Sequence, residues 1–444
     1  MVPNVKSHYD MRRITLFYLL SLFFYGCEKS DDQKPIGDVH QLCLNKLTDI
    51  IVYDIYSPPV ASRIYAYCNL AYFEGIRYSD PTATSLTDQL KGFDRSLAIG
   101  KVAESDFEWV AASAFLQVAH GLVFSKDSLV KTQLSIDEYY KAKNHSTVQV
   151  KSMQLAQRIA ANILKRAAND RYKETRGMPR YSVLKETGKW EQTPPDYSDA
   201  VEPHWRLIAP LLLDSASQFK PPPPPPFDLQ PTSRYFQELT EVHQMSQARN
   251  PVYDSIAYYW DDNPFVTGHQ GHLMFATKKI TPGGHWMGIT SQLCAQRNLS
   301  SVEKARALAL VSAAIFDGFI SCWDEKFSSR TVRPVTVIRQ LKEATWMPFL
   351  QTPPFPEYTS GHSVISSSAA TVLATLVGDS ISFTDTSELA YLGMKRSFRS
   401  VSQAADEAGI SRLYGGIHFR SAIEQGKWQG RQVGGLYVQL VSNK

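Results

Sequence analysis

Cysteine is scarce, with five residues in 444, at positions 27, 43, 68, 294 and 322. Spacings this wide supply neither a disulfide framework nor the paired ligands of a zinc site, so Cys43, Cys68, Cys294 and Cys322 are expected to be buried thiols. A dominant charge is also missing. Lys and Arg number 47 against 43 Asp and Glu, a formal net charge of +4, which is too mild a basic excess to make nucleic acid the partner. Strand-like alternation is rare, which argues against a fold built on sheets. Repeated bilayer-length apolar runs are absent as well, which excludes a polytopic membrane protein. Against these absences stands 43% hydrophobic content, enough for a sizeable core in a chain of this length.

One apolar run does occur, near the start. Met11-Arg12-Arg13 precedes ITLFYLLSLFFYGC, which ends at Gly26-Cys27. The run is shorter than the roughly 20 residues of a membrane-spanning helix and reads as an export signal, with Met11 as a second candidate start. A small residue followed by Cys resembles a bacterial lipoprotein signal. That resemblance implies lipid on Cys27 and a periplasmic or outer-membrane-attached protein, although Phe24-Tyr25 is bulkier than usual. The expected organisation is a signal over 1–27, a polar tether over 28–40 and a single helical domain over 41–444.

Helical spacing dominates that domain. Phe107-Val110-Phe115-Val118-Leu122, Met153-Leu155-Ile159-Ile163-Leu164 and Ala307-Leu308-Val311-Ala314-Ile315 place apolar residues three and four apart. Six consecutive prolines, Pro221 to Pro226, suit a stiff polyproline II spacer.

Three segments in the last third carry groups suited to an oxyanion. They are Lys326-Phe-Ser-Ser-Arg330-Thr-Val-Arg333-Pro334, Thr359-Ser360-Gly361-His362 and Ser411-Arg412-Leu-Tyr-Gly-Gly-Ile-His418. Pro334 forces Arg333 towards extended backbone. Ser360 suits the N-cap of a helix beginning near Gly361, whose free N–H groups and dipole favour an anion. Gly361 lets that anion approach the backbone. Singly, each motif is more often a solvated, loop or turn feature, with roughly one chance in ten of chemistry.

Together and in this order, the three segments resemble the signature shared by vanadium-dependent haloperoxidases and type 2 phosphatidic acid phosphatases, over residues 317–431. The resemblance implies an all-α bundle with long Pro-rich connections and vanadate as cofactor, with phosphate able to take the same site. It implies that Lys326, Arg333, Ser360, the Gly361 amide and Arg412 hold the oxyanion. His418 would bind vanadium or attack phosphorus, and His362 would act as general acid and base. Trp323 and Phe355 match aromatic positions beside the halide site of the haloperoxidase branch, although core packing explains such residues equally well.

These features support an enzyme that oxidises halide with hydrogen peroxide to hypohalous acid. The alternatives are an acid phosphatase acting on phosphate esters through a His418 phosphoenzyme, and a lipoprotein that only binds the oxyanion. Two departures bear on the choice. Thr359 stands where the family often has Pro, and Ala422 stands where many members carry an aspartate four residues after the last His. Lacking that carboxylate, His418 is expected to be a weak nucleophile, and Glu424 has the wrong spacing to replace it. Upstream, His269, His272 and His285 form a further cluster. His269 and His272 could share a helical face as metal ligands, but a loop or surface location is about twice as expected. Asp317 and Asp324 are candidates to pair with a site arginine.

Overall fold

Most helices of the protein begin where a side chain can satisfy their free N–H groups. In the computed structural model, which describes residue 1 and residues 36–442 apart from 96–103, 265, 271–272 and 277, Asp38 caps α1 (Val39–Tyr53), and Pro58 opens α2 (Pro58–Ile76). Asp106 caps α3 (Phe107–Leu122), followed by α4 (Asp127–Lys143), α5 (Ser146–Ala168) and the short α6 (Tyr172–Arg176). After a long irregular stretch come α7 (Arg234–Gln247), α8 (Pro251–Tyr259) and α9 (Pro282–Gln296), capped by Ser233, Asn250 and Thr281. Ser300 and Glu303 form a reciprocal capping box at the start of α10 (Ser301–Ser329). The remaining helices are α11 (Pro334–Leu341), α12 (Gly361–Val377), α13 (Leu389–Leu392), α14 (Val401–Tyr414) and α15 (Arg420–Ser442). The fold is all-α.

Two small antiparallel hairpins complete the described structure, β1 (Thr267–Gln270) with β2 (Leu273–Ala276), and β3 (Phe383–Asp385) with β4 (Arg396–Phe398). The first corrects an expectation. His269 lies on a strand opposite Met274, so it shares no helical face with His272, which lies outside the described residues. The signal, Cys27 and most of the tether lie outside them too. The described residues from Asp38 onward form one compact unit.

α10 is the central strut. It is long and apolar enough to cross a bilayer, yet it is buried within the protein against α2, α9, α12 and α15. Its N-terminal half fills the core with Ala307, Leu308, Val311 and Ala314, and its last turn delivers Lys326. α12 packs on α15 at unusually close range. A Cβ on Gly430 would fall 2.2 Å from the Val364 carbonyl oxygen, and one on Gly434 would fall 2.7 Å from that of Ser368. These glycines therefore allow the backbones to meet, and overpacking there would cost about 1–3 kcal/mol. The same contact clamps the first turn of α12, where Gly426 sits against Ser360 and Ser363. Cys43, Cys68, Cys294 and Cys322 are free and buried, as expected.

Candidate active site

The three sequence motifs converge at the ends of α10, α12 and α14. Arg333 is extended (φ −79°, ψ 150°) immediately before α11, as Pro334 requires. Its Nε donates to the Phe355 carbonyl at 2.9 Å, and its Nη1 to the Ile417 carbonyl at 2.9 Å and to His418 Nε2 at 3.1 Å. Nη2 is buried without an acceptor. Lys326 donates to the carbonyls of Pro356 and Glu357 at 2.9 and 3.0 Å, which leaves one of its three N–H groups unused. Burial, with Arg333 adding to it, pushes the Lys326 ammonium down to about 7, and burial, with Arg412 adding to it, pushes the Arg333 guanidinium down to about 10.

His418 follows α14 and is buried. A guanidinium only donates, so the Arg333 contact makes Nε2 of His418 a lone-pair acceptor and places the ring hydrogen on Nδ1. That hydrogen meets Glu357 Oε1 at 2.8 Å, and the same oxygen accepts from the Phe419 N–H at 2.9 Å. Glu357 thus fixes the tautomer in which Nε2 carries a lone pair, held by Arg333 here, that can be offered to an electrophilic centre. This corrects the expectation drawn from Ala422. His418 does have an orienting carboxylate, but it comes from the loop before α12 rather than from α15. Ala422 is fully buried, with its carbonyl accepting from the Ser360 N–H at 3.0 Å, while Glu424 pairs with Lys427 at the surface. Burial pushes the Glu357 carboxyl up to about 7, opposed by Arg333, the Phe419 N–H and Lys326.

Ser360 is the N-cap of α12, its Oγ accepting from the Ser363 N–H, so Gly361 and His362 lie in the first turn as anticipated. Thr359, in place of proline, sends its hydroxyl to Gln429 Oε1 at 2.7 Å and so ties this turn to α15. His362 has 15% of its side chain exposed, and its Nε2 has no hydrogen-bond partner. The nearest carboxylate to it is Asp262, at 3.8 Å. Burial holds its imidazole well below the usual histidine range, with Arg412, His285 and Lys326 adding to the effect, so the ring is a neutral base. The ring of Trp323 lies beneath Gly361, 3.8 Å from where a Cβ would stand, and it packs on Phe355 with centroids 5.0 Å apart. Phe355 in turn lies under both cations, 5.0 Å from Lys326 Nζ and 5.1 Å from Arg333 Cζ.

Arg412 contributes its charge differently from expectation. Its donors face Ser411 Oγ and the carbonyls of Ala257, Trp260 and Asp261, so it acts on His362 and His418 through its field. Asp317 and Asp324 pair with no site arginine. Asp317 accepts the N–H groups of Leu211, Leu212 and Leu213 and the Tyr437 hydroxyl, which moors the Pro-rich connection to α10. Asp324 lies 3.9 Å from Arg206. The proline run also docks rather than merely spacing, because the Tyr358 hydroxyl donates to the Pro222 carbonyl.

A bound oxyanion fits this site. Two buried cations, Lys326 and Arg333, meet here with Arg412 acting through its field, and Arg333 Nη2 is buried without an acceptor. A buried donor left this way costs stability unless an acceptor meets it. Vanadate or phosphate provides several strong acceptors and offsetting negative charge.

The comparisons with known proteins agree. The profile of the VCPO second helical-bundle domain matches residues 306–444. The chain is similar to a bacterial vanadium-dependent iodoperoxidase of known structure, with 41% identity and a TM-score of 0.85, covering 91% of this chain and 97% of that one. A bacterial vanadium-dependent chloroperoxidase shares the fold at 17% identity, with TM-scores of 0.63 for the holo and 0.64 for the apo form, each covering 87% of this chain and 94% of the other. No curated protein matches.

Proposed function

Because the chain belongs to the vanadium-dependent haloperoxidases, enzymes that use vanadate and hydrogen peroxide to oxidise halide, we propose that its preferred halide is iodide and that His418, Lys326, Arg333 and His362 carry the chemistry. Vanadate, when bound, activates peroxide for two-electron oxidation of halide while keeping its own oxidation state. His418 Nε2, kept unprotonated by the Glu357 contact and accepting only from Arg333, would be the ligand atom once Arg333 Nη1 turns to the oxyanion. The unused Lys326 and Arg333 N–H groups and the first-turn amides of α12 neutralise the oxyanion charge. Making hypohalous acid and water from halide and peroxide consumes one proton, which solvent supplies, and moving protons off peroxide and onto the departing oxygen needs a group that can accept one and hand it on. His362 Nε2, neutral and unpartnered, is placed for that role.

The Trp323–Phe355 wall supports iodide. It offers a polarisable surface under a positive field but few hydrogen-bond donors, which suits the most weakly hydrated halide, and the 41% identical relative is an iodoperoxidase. The observation that carries the site assignment is the lone pair on His418 Nε2 in the field of three buried cations. Its test is halide oxidation by purified protein before and after orthovanadate addition. Iodide turnover should appear with vanadate, exceed bromide turnover, and vanish in His362→Ala while vanadate affinity stays within about tenfold. Robust phosphate-ester turnover with no halide oxidation at any vanadate level would overturn the reading. The Glu357–His418 pair does favour weak hydrolysis of phosphate esters by the vanadate-free protein, since it orients the imidazole as a nucleophile. Residues 11–27 support export and lipid attachment at Cys27.

A further inference from the structure

Behind His362 lies a second buried group of ionisable side chains that the chemistry above does not use. Asp262, 3.8 Å from His362 Nε2, approaches His285 Nδ1 with both carboxylate oxygens, at 3.0 and 3.2 Å. His285 Nε2 meets Asp385 Oδ2 at 2.8 Å, and Asp385 also accepts from the Tyr259 hydroxyl and the Ser387 N–H. Glu388, the residue before α13, is fully buried 4.0 Å from His285 Nδ1, and neither of its oxygens meets an N–H or hydroxyl donor. The group it does approach is Asp262, with a carboxylate oxygen of each within 4.8 Å of the other. Two ionised carboxylates buried that close repel each other, so one of them carries a proton.

Charge balance leads to the same conclusion. Both nitrogens of His285 face carboxylate oxygens, so both carry hydrogen and the ring is a cation. Asp262 and Asp385 hold it well above the usual histidine range despite its burial. Lys279 pairs with Asp261 at 2.5 Å, and Arg412 lies 3.9 Å from the same residue. His285, Lys279 and Arg412 therefore face Asp385, Asp262 and Asp261, three charges of each sign, if Glu388 is neutral. A fourth buried carboxylate would be uncompensated, which folded proteins avoid by protonation. A protonated His285 has no lone pair for a metal ion, although Asp262, His285 and Glu388 are close enough to surround one.

We propose that Glu388 is a positioning residue for the peroxidase reaction: it shares a proton with Asp262 and so keeps the Asp262 carboxylate from drawing a proton onto His362 Nε2. The inference rests on His362 being the base of the reaction. Without the shared proton, Asp262 would present its full charge 3.8 Å from that nitrogen, and His362 would become an imidazolium unable to accept a proton from peroxide. Burial and the Asp262 charge push the Glu388 carboxyl up to about 9, so the arrangement persists through neutral pH.

The test reads His362 directly, in vanadate-free full-length protein, by NMR titration of labelled histidine rings, with His362→Gln assigning the resonance. Wild type should keep His362 neutral across the neutral range. Glu388→Ala should raise its titration midpoint by at least about one unit. Glu388→Gln, whose amide can still donate to Asp262, should restore the wild-type value. Infrared spectra of wild type at neutral pH should show a protonated carboxyl band that Glu388→Gln removes, and this measurement decides the matter if Glu388→Ala fails to fold. Absence of that band, or the same His362 midpoint in wild type and Glu388→Ala, would overturn the proposal. So would one equivalent of a divalent metal retained by wild type and lost in Glu388→Gln. None of these readouts uses halide turnover, so they stand apart from the failure of the haloperoxidase or iodide assignment.

Discussion

Replacing Glu357 with alanine tests the central geometric claim, that a carboxylate from the loop before α12 makes His418 a vanadium ligand. Glu357 is buried, and its Oε1 receives both the His418 Nδ1 hydrogen at 2.8 Å and the Phe419 N–H at 2.9 Å. A hydrogen bond to a charged group contributes about 1.5–3 kcal/mol. Losing the partner of a ligating histidine weakens metal affinity by about 10–100-fold, which corresponds to about 1.4–2.7 kcal/mol, so the two ranges agree. Glu357→Ala should therefore weaken vanadate binding by about 10–100-fold, measured by equilibrium titration of protein whose fold circular dichroism shows to be intact. Glu357→Gln keeps an acceptor for Nδ1 and loses only the charge, so its loss should be smaller, about tenfold or less. A well-folded Glu357→Ala protein that binds vanadate within about twofold of wild type would refute the reasoning, since His418 would then need no orienting partner.

Lys326 gives a pH signature. Its folded pKa, down to about 7, lies below the unfolded value of 10.5, so the unfolded chain binds more protons between these limits and this group makes stability rise with pH across that window. An oxyanion reverses the depression, and binding near pH 8.5 should take up close to one proton, read by calorimetry in buffers of different ionisation enthalpy; no buffer dependence would contradict it. Ala422→Asp, at a fully buried position where the His418 Nδ1 hydrogen is already taken, should not raise phosphatase turnover. It should lower stability by on the order of 3 kcal/mol, measured by denaturant unfolding. Cys27→Ser should move the mature protein from the membrane fraction to the soluble one, and unchanged fractionation would remove the anchor.

Local features of the site were legible in the sequence because they rest on short-range physics. Proline after Arg333 constrains the arginine wherever the chain goes, and Ser360 before Gly361 caps a helix through its own neighbour. The helix from Phe107 to Leu122 follows from its apolar spacing. Glu357 was hidden for the opposite reason, since its partner lies 61 residues away and only tertiary folding brings the two together. A carboxylate one helical turn after His418 would be visible along the chain, whereas the protein supplies it across a helix boundary. The one available hint was that Glu357 is the only carboxylate in PPFPEYTSGH. Asp262, Asp385 and Glu388 gave no local sign either, because Asp262 lies more than 100 residues before the Asp385–Glu388 stretch and His285 stands between them in the chain. The 267–276 hairpin is too brief to show alternation, which is why the sequence pointed to a loop or a helical face for His269 and not to a strand.

The ten residues from Pro353 to His362 do several jobs in fixed register. The Phe355 carbonyl holds Arg333, the Pro356 and Glu357 carbonyls hold Lys326, the Glu357 side chain holds His418, and Ser360 starts α12. No slack separates these duties, so inserting or deleting one residue would misplace cation, ligand and base in a single event. Loops of this kind are normally where homologous proteins vary in length. Here the length is fixed by the site, so on the proposed halide assignment selectivity would be retuned by exchanging side chains such as Trp323 and Phe355, and an engineer seeking a bromide-oxidising variant should leave the spacing of this segment untouched.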